Sequence, residues 1–207
     1  MQISEIFRAA TVIPVIEITK LERAEKLAEI LSQAKLRVVE LTLRTPCALD
    51  ALAVMKKTAP DLIIGMGTVR TEHDIERSLE GGASFLVSPG ATPALLEALG
   101  RSGAPVLPGV ATASEAMAAA DAGFRSLKFF PAEPAGGLAY LKSLVGPLPD
   151  IVFCPTGGIS AERVSDYLSL PNVGCVGGSW VATKQMLIDG DWEKISGNAK
   201  RAAVMTG

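Results

Sequence analysis

A lysine lies within a short apolar segment of the sequence. Lys128 stands in Ser126-Leu127-Lys128-Phe129-Phe130-Pro131, which has the composition of a buried strand, whereas the other lysines stand in polar, helical or turn-like surroundings. A buried ammonium is unfavourable unless it is paired or loses its proton. Because a neutral lysine amine attacks carbonyl groups, Lys128 is a candidate for Schiff-base catalysis. The alternative is a lysine whose stem lies along the strand end while its ammonium reaches water.

Charged residues also occupy alternate positions of a second strand-like segment, Arg37–Leu43. Period-2 alternation separates an apolar face, which suits contact with helices, from a mixed face formed by Val38, Glu40, Thr42 and Arg44. A glutamate and an arginine that point into the protein need a partner or a ligand. Glu40 is therefore a candidate for proton transfer and Arg44 for binding a carboxylate, and a structural ion pair is the alternative.

Paired glycines follow the last two predicted strands. Gly157 and Gly158 come directly after Thr156, and Gly178 and Ser179 end the next segment. Backbone N–H groups at such glycines are free to point at an anion, beside the positive ends of the helices that follow. The two pairs together predict a phosphate site, whereas either pair alone is also explained by a tight turn.

A third strand-like segment ends in Gly65-Met66-Gly67-Thr68. Glycines there predict close approach by a ligand or by another backbone segment, and Thr68 offers a hydroxyl. The candidate site thus combines a buried amine for a ketone, Glu40 for proton transfer, Arg44 for a carboxylate and glycine loops for a phosphate. These groups match a phosphorylated 2-keto acid.

Eight strand-like segments alternate with helical ones and must position these residues. The predicted strands are Val12–Ile18, Arg37–Leu43, Leu62–Thr68, Phe85–Ser88, Pro105–Val110, Leu127–Phe130, Ile151–Thr156 and Val173–Gly177. The predicted helices are Ser4–Ala10, Leu21–Ala34, Ala48–Thr58, Glu72–Glu80, Pro93–Leu99, Ser114–Ala122, Leu138–Leu144, Ala161–Leu168, Val181–Ile188 and Trp192–Val204. This order predicts one α/β domain over residues 1–207, a (β/α)8 TIM barrel with a short N-terminal helix and a site at the carboxyl ends of its strands. A doubly wound open sheet is the alternative fold.

Composition limits the classes of function. The net charge is −2 and the sequence has no basic patch, so we expect no nucleic-acid partner. No apolar run is long enough for a membrane span, and the N-terminus lacks a signal-peptide pattern, so we expect no membrane association. Three widely spaced cysteines indicate a reduced, cytoplasmic setting. The single histidine, His73, excludes histidine-rich metal sites and has the position of a surface residue in a first helical turn.

Several runs together resemble one known family. They are Glu40-Leu41-Thr42-Leu43-Arg44-Thr45, Gly67-Thr68-Val69, Ser88-Pro89-Gly90, Lys128-Phe129-Phe130-Pro131-Ala132-Glu133, Cys154-Pro155-Thr156-Gly157-Gly158-Ile159 and Gly177-Gly178-Ser179-Trp180. They are similar in order, over nearly the whole chain, to the 2-keto-3-deoxy-6-phosphogluconate (KDPG) aldolase and 4-hydroxy-2-oxoglutarate aldolase family. The resemblance implies a (β/α)8 barrel, a homotrimer, no metal, no cofactor and class I aldolase chemistry in the Entner–Doudoroff pathway.

The resemblance also implies the roles of individual residues. Lys128 forms the Schiff base and Glu40 is the general acid/base. The substrate-binding residues are Arg44 and Thr68 for the pyruvyl carboxylate, Thr156 near the hydroxyls, Gly157, Gly158, Gly178 and Ser179 for the phosphate, and Pro89 and Phe130, which shape the pocket. Thr156 favours the gluconate over the galactonate epimer. Glu17 departs from the family pattern, and we expect it to end its strand in solvent without a catalytic role.

Three alternatives to this function stay open at the level of the sequence. An aldolase for the galactonate epimer would use the same groups. A 4-hydroxy-2-oxoglutarate aldolase would keep the amine and the carboxylate but would need no phosphate site, and one enzyme can serve both substrates. A sugar-phosphate-binding barrel without catalysis would use the glycine loops alone.

Overall fold

A computed structural model of the chain describes residues 2–205, in which strands and helices alternate. The strands are β1 (Val12–Ile16), β2 (Val38–Thr42), β3 (Ile63–Gly67), β4 (Phe85–Val87), β5 (Val106–Leu107), β6 (Gly109–Val110), β7 (Ser126–Phe129), β8 (Val152–Pro155) and β9 (Val176–Gly178). The helices are α1 (Ile3–Ala9), α2 (Ala24–Gln33), α3 (Ala48–Thr58), α4 (Glu72–Glu80), α5 (Pro93–Arg101), α6 (Ala113–Asp121), α7 (Gly137–Leu144), α8 (Val164–Leu168), α9 (Lys184–Asp189) and α10 (Trp192–Ala203).

Parallel pairing joins the strands into two sheets. One sheet has the order β5-β4-β3-β2-β1-β9 and the other has the order β6-β7-β8. Within each sheet, strands that follow each other along the chain are neighbours, and β1 also pairs with β9. The doubly wound alternative does not match this order, because that fold reverses its strand order at a switch point.

The two sheets approach each other at two places. Only Pro108 separates β5 from β6, and its carbonyl oxygen accepts a hydrogen bond from the Lys128 N–H at 2.9 Å. Because proline has no N–H, it interrupts the hydrogen-bond ladder that would make β5 and β6 one strand. On the other side, isolated parallel bridges join Phe153 to Val173 and Thr156 to Gly177.

Buried apolar side chains form two clusters on opposite faces of the strands. The larger cluster holds Val39 and Leu41 together with residues of the helices, as the alternation along β2 predicts. The smaller cluster holds Val38 with Phe85, Cys154 and other inward residues. Ile6 and Phe7 of α1 belong to this inner cluster as well, so the N-terminal helix packs against the interior of the strand layer.

Several predicted boundaries are correct and others are not. Helices α3 and α4 have the predicted bounds, and His73 is exposed in the first turn of α4. The predicted helix Ala161–Leu168 is instead a 3-10 turn, Ala161–Arg163, followed by the short α8. The predicted helix Val181–Ile188 is interrupted at Thr183, whose hydroxyl accepts a hydrogen bond from the Met186 N–H and so caps a separate helix, α9.

None of the helices in the described residues combines the length and the apolar character that a membrane crossing requires.

Candidate active site

A buried ion pair lies between β7 and β2. The Lys128 Nζ is 3.0 Å from Oε1 and 3.3 Å from Oε2 of Glu40, and both residues are buried. The lysine therefore does not extend to solvent, and the glutamate pairs with this lysine rather than with Arg44. The pair places a proton acceptor within hydrogen-bonding distance of the amine, which is the arrangement that an activated nucleophile needs.

Two glycines of β3 make room for this arrangement. A Cβ built on Gly67 overlaps Oε1 of Glu40, and a Cβ built on Gly65 overlaps the ring of Phe85. The expected close approach at this strand end is thus made by side chains of the neighbouring strands β2 and β4. That Glu40 is the group approaching Gly67 does not follow from the sequence pattern, because it depends on the register between β2 and β3.

Arg44 and Thr68 meet at the carboxyl ends of β2 and β3. The Arg44 Nε donates a hydrogen bond to the Thr68 hydroxyl at 3.0 Å, and the arginine side chain is otherwise exposed. Thr68 has a φ of 64°, which is unusual for a β-branched residue. Backbone strain of this kind concentrates at functional sites, and here it directs the threonine hydroxyl at the arginine.

A cavity of about 110 Å³ opens beside Lys128. Its wall consists of Val15, Arg44, Lys128, Phe130, Thr156, Gly157, Gly158, Ile159, Gly177 and Ser179. The Phe130 ring centroid lies 5.3 Å from the Lys128 Nζ, so an aromatic face borders the amine as the alternation along the strand predicts. The cavity therefore brings a lysine and an arginine to one opening, together with the glycine loop that follows β8.

The loop after β8 presents unused backbone donors. Within residues 2–205, the N–H groups of Gly157 and Gly158 have no protein acceptor. Their φ values are 108° and 81°, and residues other than glycine rarely adopt such values. The elements after both glycine loops begin with short 3-10 turns, Ala161–Arg163 and Ser179–Val181. The positive helix ends expected after the two glycine loops are therefore only short 3-10 turns. The capacity to bind an anion lies instead with the peptide N–H groups of Gly157 and Gly158.

Four other predicted residues lie around this centre in different ways. The Thr156 side chain is buried against Gly177, where a Cβ would overlap its hydroxyl. The Pro89 backbone crosses β6 directly over Gly109, whose missing side chain allows that approach. Gly178 is buried, and a Cβ built on it would meet the indole of Trp180, whereas Ser179 lines the cavity.

Two further ionisable side chains, those of Glu17 and Cys175, lie outside the set that lines the cavity. Glu17 follows β1 and forms an ion pair with Lys184 at 2.7 Å, so it ends its strand with a partner near the surface. Cys175 is fully buried, and burial together with the neighbouring Cys154 and Glu40 raises the pKa of its thiol. In the described part of the chain, no cluster of three or more His, Cys, Asp or Glu side chains could hold a metal ion.

The chain matches known proteins along its length. A family model described as KDPG and KHG aldolase matches residues 3–197. The 2-dehydro-3-deoxy-phosphogluconate aldolase of Pseudoalteromonas atlantica is 44% identical over 198 residues, which cover 96% of this chain and 92% of that protein.

Solved structures agree with this match. The KDPG aldolase of Legionella pneumophila, with pyruvate captured as a covalent carbinolamine intermediate, is 43% identical with a TM-score of 0.94 and covers 98% of both chains. The 2-keto-3-deoxy-6-phosphogluconate aldolase of Zymomonas mobilis with 3-phosphoglycerate is 42% identical with a TM-score of 0.91, and the match covers 98% of this chain and 95% of that one. With the family model, the sequence relative and the two structures in agreement, the chain belongs to the KDPG and KHG aldolase family.

Proposed function

We propose that the chain is a class I aldolase, a lyase that cleaves 2-keto-3-deoxy-6-phosphogluconate to pyruvate and D-glyceraldehyde 3-phosphate in the Entner–Doudoroff pathway. The observation that carries this proposal is the buried contact of 3.0 Å between the Lys128 amine and the Glu40 carboxylate, beside a cavity that Arg44 also lines. A nucleophile, a base and a carboxylate-binding group are the parts that this reaction requires.

Bond cleavage follows from the electron demand of an iminium. Neutral Lys128 attacks the C2 ketone, and the resulting carbinolamine loses its hydroxyl as water with a proton from Glu40, which leaves the iminium and the Glu40 carboxylate. Glu40, directly or through one water, takes the proton of the C4 hydroxyl, and the electrons of the C3–C4 bond move into the iminium as glyceraldehyde 3-phosphate leaves. The resulting enamine is protonated at C3 by Glu40, and water hydrolyses the iminium to release pyruvate and the free amine.

The remaining groups around the cavity suit the two anionic ends of the substrate. Arg44, held by Thr68, binds the pyruvyl carboxylate, since the guanidinium matches carboxylate geometry. The free N–H groups of Gly157 and Gly158 bind the phosphate together with Ser179, which lines the same cavity, and Gly178 contributes as the backbone neighbour of Ser179. The Zymomonas relative was solved with a phosphorylated three-carbon acid, which supports a phosphate site in this family. Pro89, Phe130 and Thr156 shape the space between the two ends.

The strand layer around this site is proposed to close into a single (β/α)8 barrel. The pairing of β1 with β9, the one-residue gap between β5 and β6, and the bridge from Thr156 to Gly177 support closure. A homotrimer and a cytoplasmic location are further proposals. The trimer rests on the family resemblance, and a mass measurement by light scattering tests it. The location rests on three cysteines that are all free thiols.

A second substrate has support in the name of the family. The matching model describes aldolases for KDPG and for 4-hydroxy-2-oxoglutarate (KHG). The same lysine and glutamate would cleave the unphosphorylated substrate to pyruvate and glyoxylate without the glycine loops. Cleavage rates for both substrates, and for the galactonate epimer of KDPG, decide the preference.

Reductive trapping tests the proposal directly. The protein is incubated with pyruvate, reduced with borohydride and mapped by mass spectrometry. We expect a single adduct on Lys128, and cleavage of KDPG under the same conditions without reductant. An adduct on another lysine, or none, contradicts the proposed chemistry. Stabilisation by sugar phosphates without any adduct would indicate a binding protein without catalysis.

A further inference from the structure

We propose that Glu133 is a positioning residue that holds the Gly157-Gly158 loop in the conformation that receives the substrate phosphate. Glu133 follows β7 and lies outside the set of residues that line the cavity. This inference rests on the proposed function, because it concerns the phosphate end of the same site. Glu133 acts through the glycine loop and does not touch the reacting atoms.

The backbone of the loop after β7 fixes the peptide planes of the glycine loop. The Ala132 N–H donates to the Thr156 carbonyl at 2.8 Å, and the Glu133 N–H donates to the Gly157 carbonyl at 3.0 Å. In a planar trans peptide the N–H points opposite to the C=O. The Gly158 N–H therefore points away from Glu133, on the side of the loop that is free to meet an anion.

The Glu133 side chain binds the segment that follows the same loop. Its two carboxylate oxygens lie 2.8 and 2.7 Å from the Arg163 Nη1, and the Tyr167 hydroxyl donates to Oε1 at 2.5 Å. Arg163 ends the 3-10 turn after the glycines and Tyr167 lies in α8. One residue is thus bonded both to the glycine loop and to the helix behind it.

Side-chain packing adds a third constraint on the loop. A Cβ built on Gly158 would lie 2.9 Å from the Glu133 Cβ, so the glycine backbone rests against the glutamate stem. Burial, followed by the Glu133 carboxylate, raises the pKa of Tyr167 and keeps its hydroxyl a donor. The Arg163 guanidinium balances the charge of the carboxylate, which would otherwise repel a phosphate on the neighbouring loop.

The role of Glu133 predicts a defect that depends on the phosphate. In Glu133→Ala, we expect the KM for KDPG to rise at least tenfold, while kcat and borohydride trapping of pyruvate stay within twofold of the unaltered protein. Pyruvate has no phosphate, so its trapping reports on Lys128 alone. Glu133→Gln keeps an acceptor for Tyr167 but loses the charge that binds Arg163. Its KM for KDPG should lie between that of the unaltered protein and that of Glu133→Ala. Glu162→Gln, in the same 3-10 turn, is the matched control and should leave every value unchanged.

The outcomes separate this inference from the proposed function. A KM for KDPG that is unchanged in Glu133→Ala, or an equal loss of KDPG cleavage and pyruvate trapping, overturns the positioning role. If Glu133→Ala does not fold, the same comparison is made with Glu133→Gln, for which a KM within twofold of the unaltered protein overturns the role. An unaltered protein that traps pyruvate but does not cleave KDPG overturns the proposed function and, with it, the phosphate assignment.

Discussion

Two glutamate ion pairs, an inner pair of Lys128 with Glu40 and an outer pair of Arg163 with Glu133, differ mainly in their exposure to water. Lys128 and Glu40 are 4% and 5% exposed at their side chains, whereas Arg163 and Glu133 are 42% and 28% exposed. Removing one partner of a buried pair leaves an uncompensated charge, while a surface pair contributes little net stability. The inner pair is therefore costly to bury and lies where the proposed reaction needs an amine. The outer pair lies behind the Gly157-Gly158 loop, which we propose that it orients.

Removing the lysine of the inner pair should have the largest effect. We expect Lys128→Met to abolish KDPG cleavage and pyruvate trapping and to lower the free energy of unfolding by about 3–5 kcal/mol, because Glu40 is left without its cation. The same replacement at Arg163 should cost about 1 kcal/mol or less. Urea unfolding at neutral pH measures both. A Lys128→Met/Glu40→Gln variant should recover stability but not activity, and a Lys128→Met variant as stable as the unaltered protein contradicts the comparison.

Changing the base of the inner pair should preserve the amine but slow proton transfer. In Glu40→Gln we expect exchange of the pyruvate methyl protons to slow by about 10²–10⁴-fold, with some borohydride adduct still formed. Proton exchange measured by NMR in deuterated buffer checks this result. Glu133→Gln, the corresponding change in the outer pair, should exchange at the rate of the unaltered protein. Full exchange in Glu40→Gln would remove Glu40 from its role as base.

A methyl group on β3 should disturb the inner pair without altering either partner. The Cβ of Gly67→Ala overlaps Glu40 Oε1, so the carboxylate must move away from Lys128. Misplacement of a catalytic group by about 1 Å can lower the rate by about 10²-fold, and we expect a kcat loss of that order. Gly197→Ala in α10 is the control, since no atom lies within 4 Å of its added Cβ. Unchanged kcat in Gly67→Ala would show that the carboxylate position tolerates displacement.

Tyr167, which donates to Glu133 of the outer pair, should give the smallest effect, at alkaline pH. Because the pKa of Tyr167 is raised in the folded protein, the unfolded chain loses this proton first, above the ordinary tyrosine value of about 10. Folded stability from this group is complete below that pH and falls as the pH rises above it. We expect unfolding free energies from pH 9 to 11 to fall more steeply than in Tyr167→Phe, by up to about 1.4 kcal/mol per pH unit. Parallel slopes would contradict the raised pKa.

Much of the inner site was predictable from local pattern. Alternation along β2 places Glu40 and Val38 on one face, and the apolar neighbours of Lys128 indicate its burial. The bounds of α3 and α4 follow from the 3.6-residue period, and Thr71 caps α4 as a local motif. Such features depend on residues a few positions apart, so the sequence contains them directly.

Features that depend on contacts between distant segments could not be predicted in this way. The interruption at Pro108 and the 3-10 turn before α8 depend on how each segment meets its neighbours. The contact between Glu133 and Arg163 joins residues 30 positions apart in adjacent loops. No periodicity connects those two positions.

The sequence by itself determined which residues are the candidates for the chemistry, because burial of a lysine and inward placement of a glutamate follow from composition and alternation along single strands. Only the tertiary structure decided that Lys128 and Glu40, 88 positions apart, lie 3.0 Å from each other. It also decided that Gly67 makes room for the carboxylate and that Glu133 secures the glycine loop. The physical reason is that strand register and loop contact set distances between segments, whereas sequence pattern sets only the face on which a side chain lies.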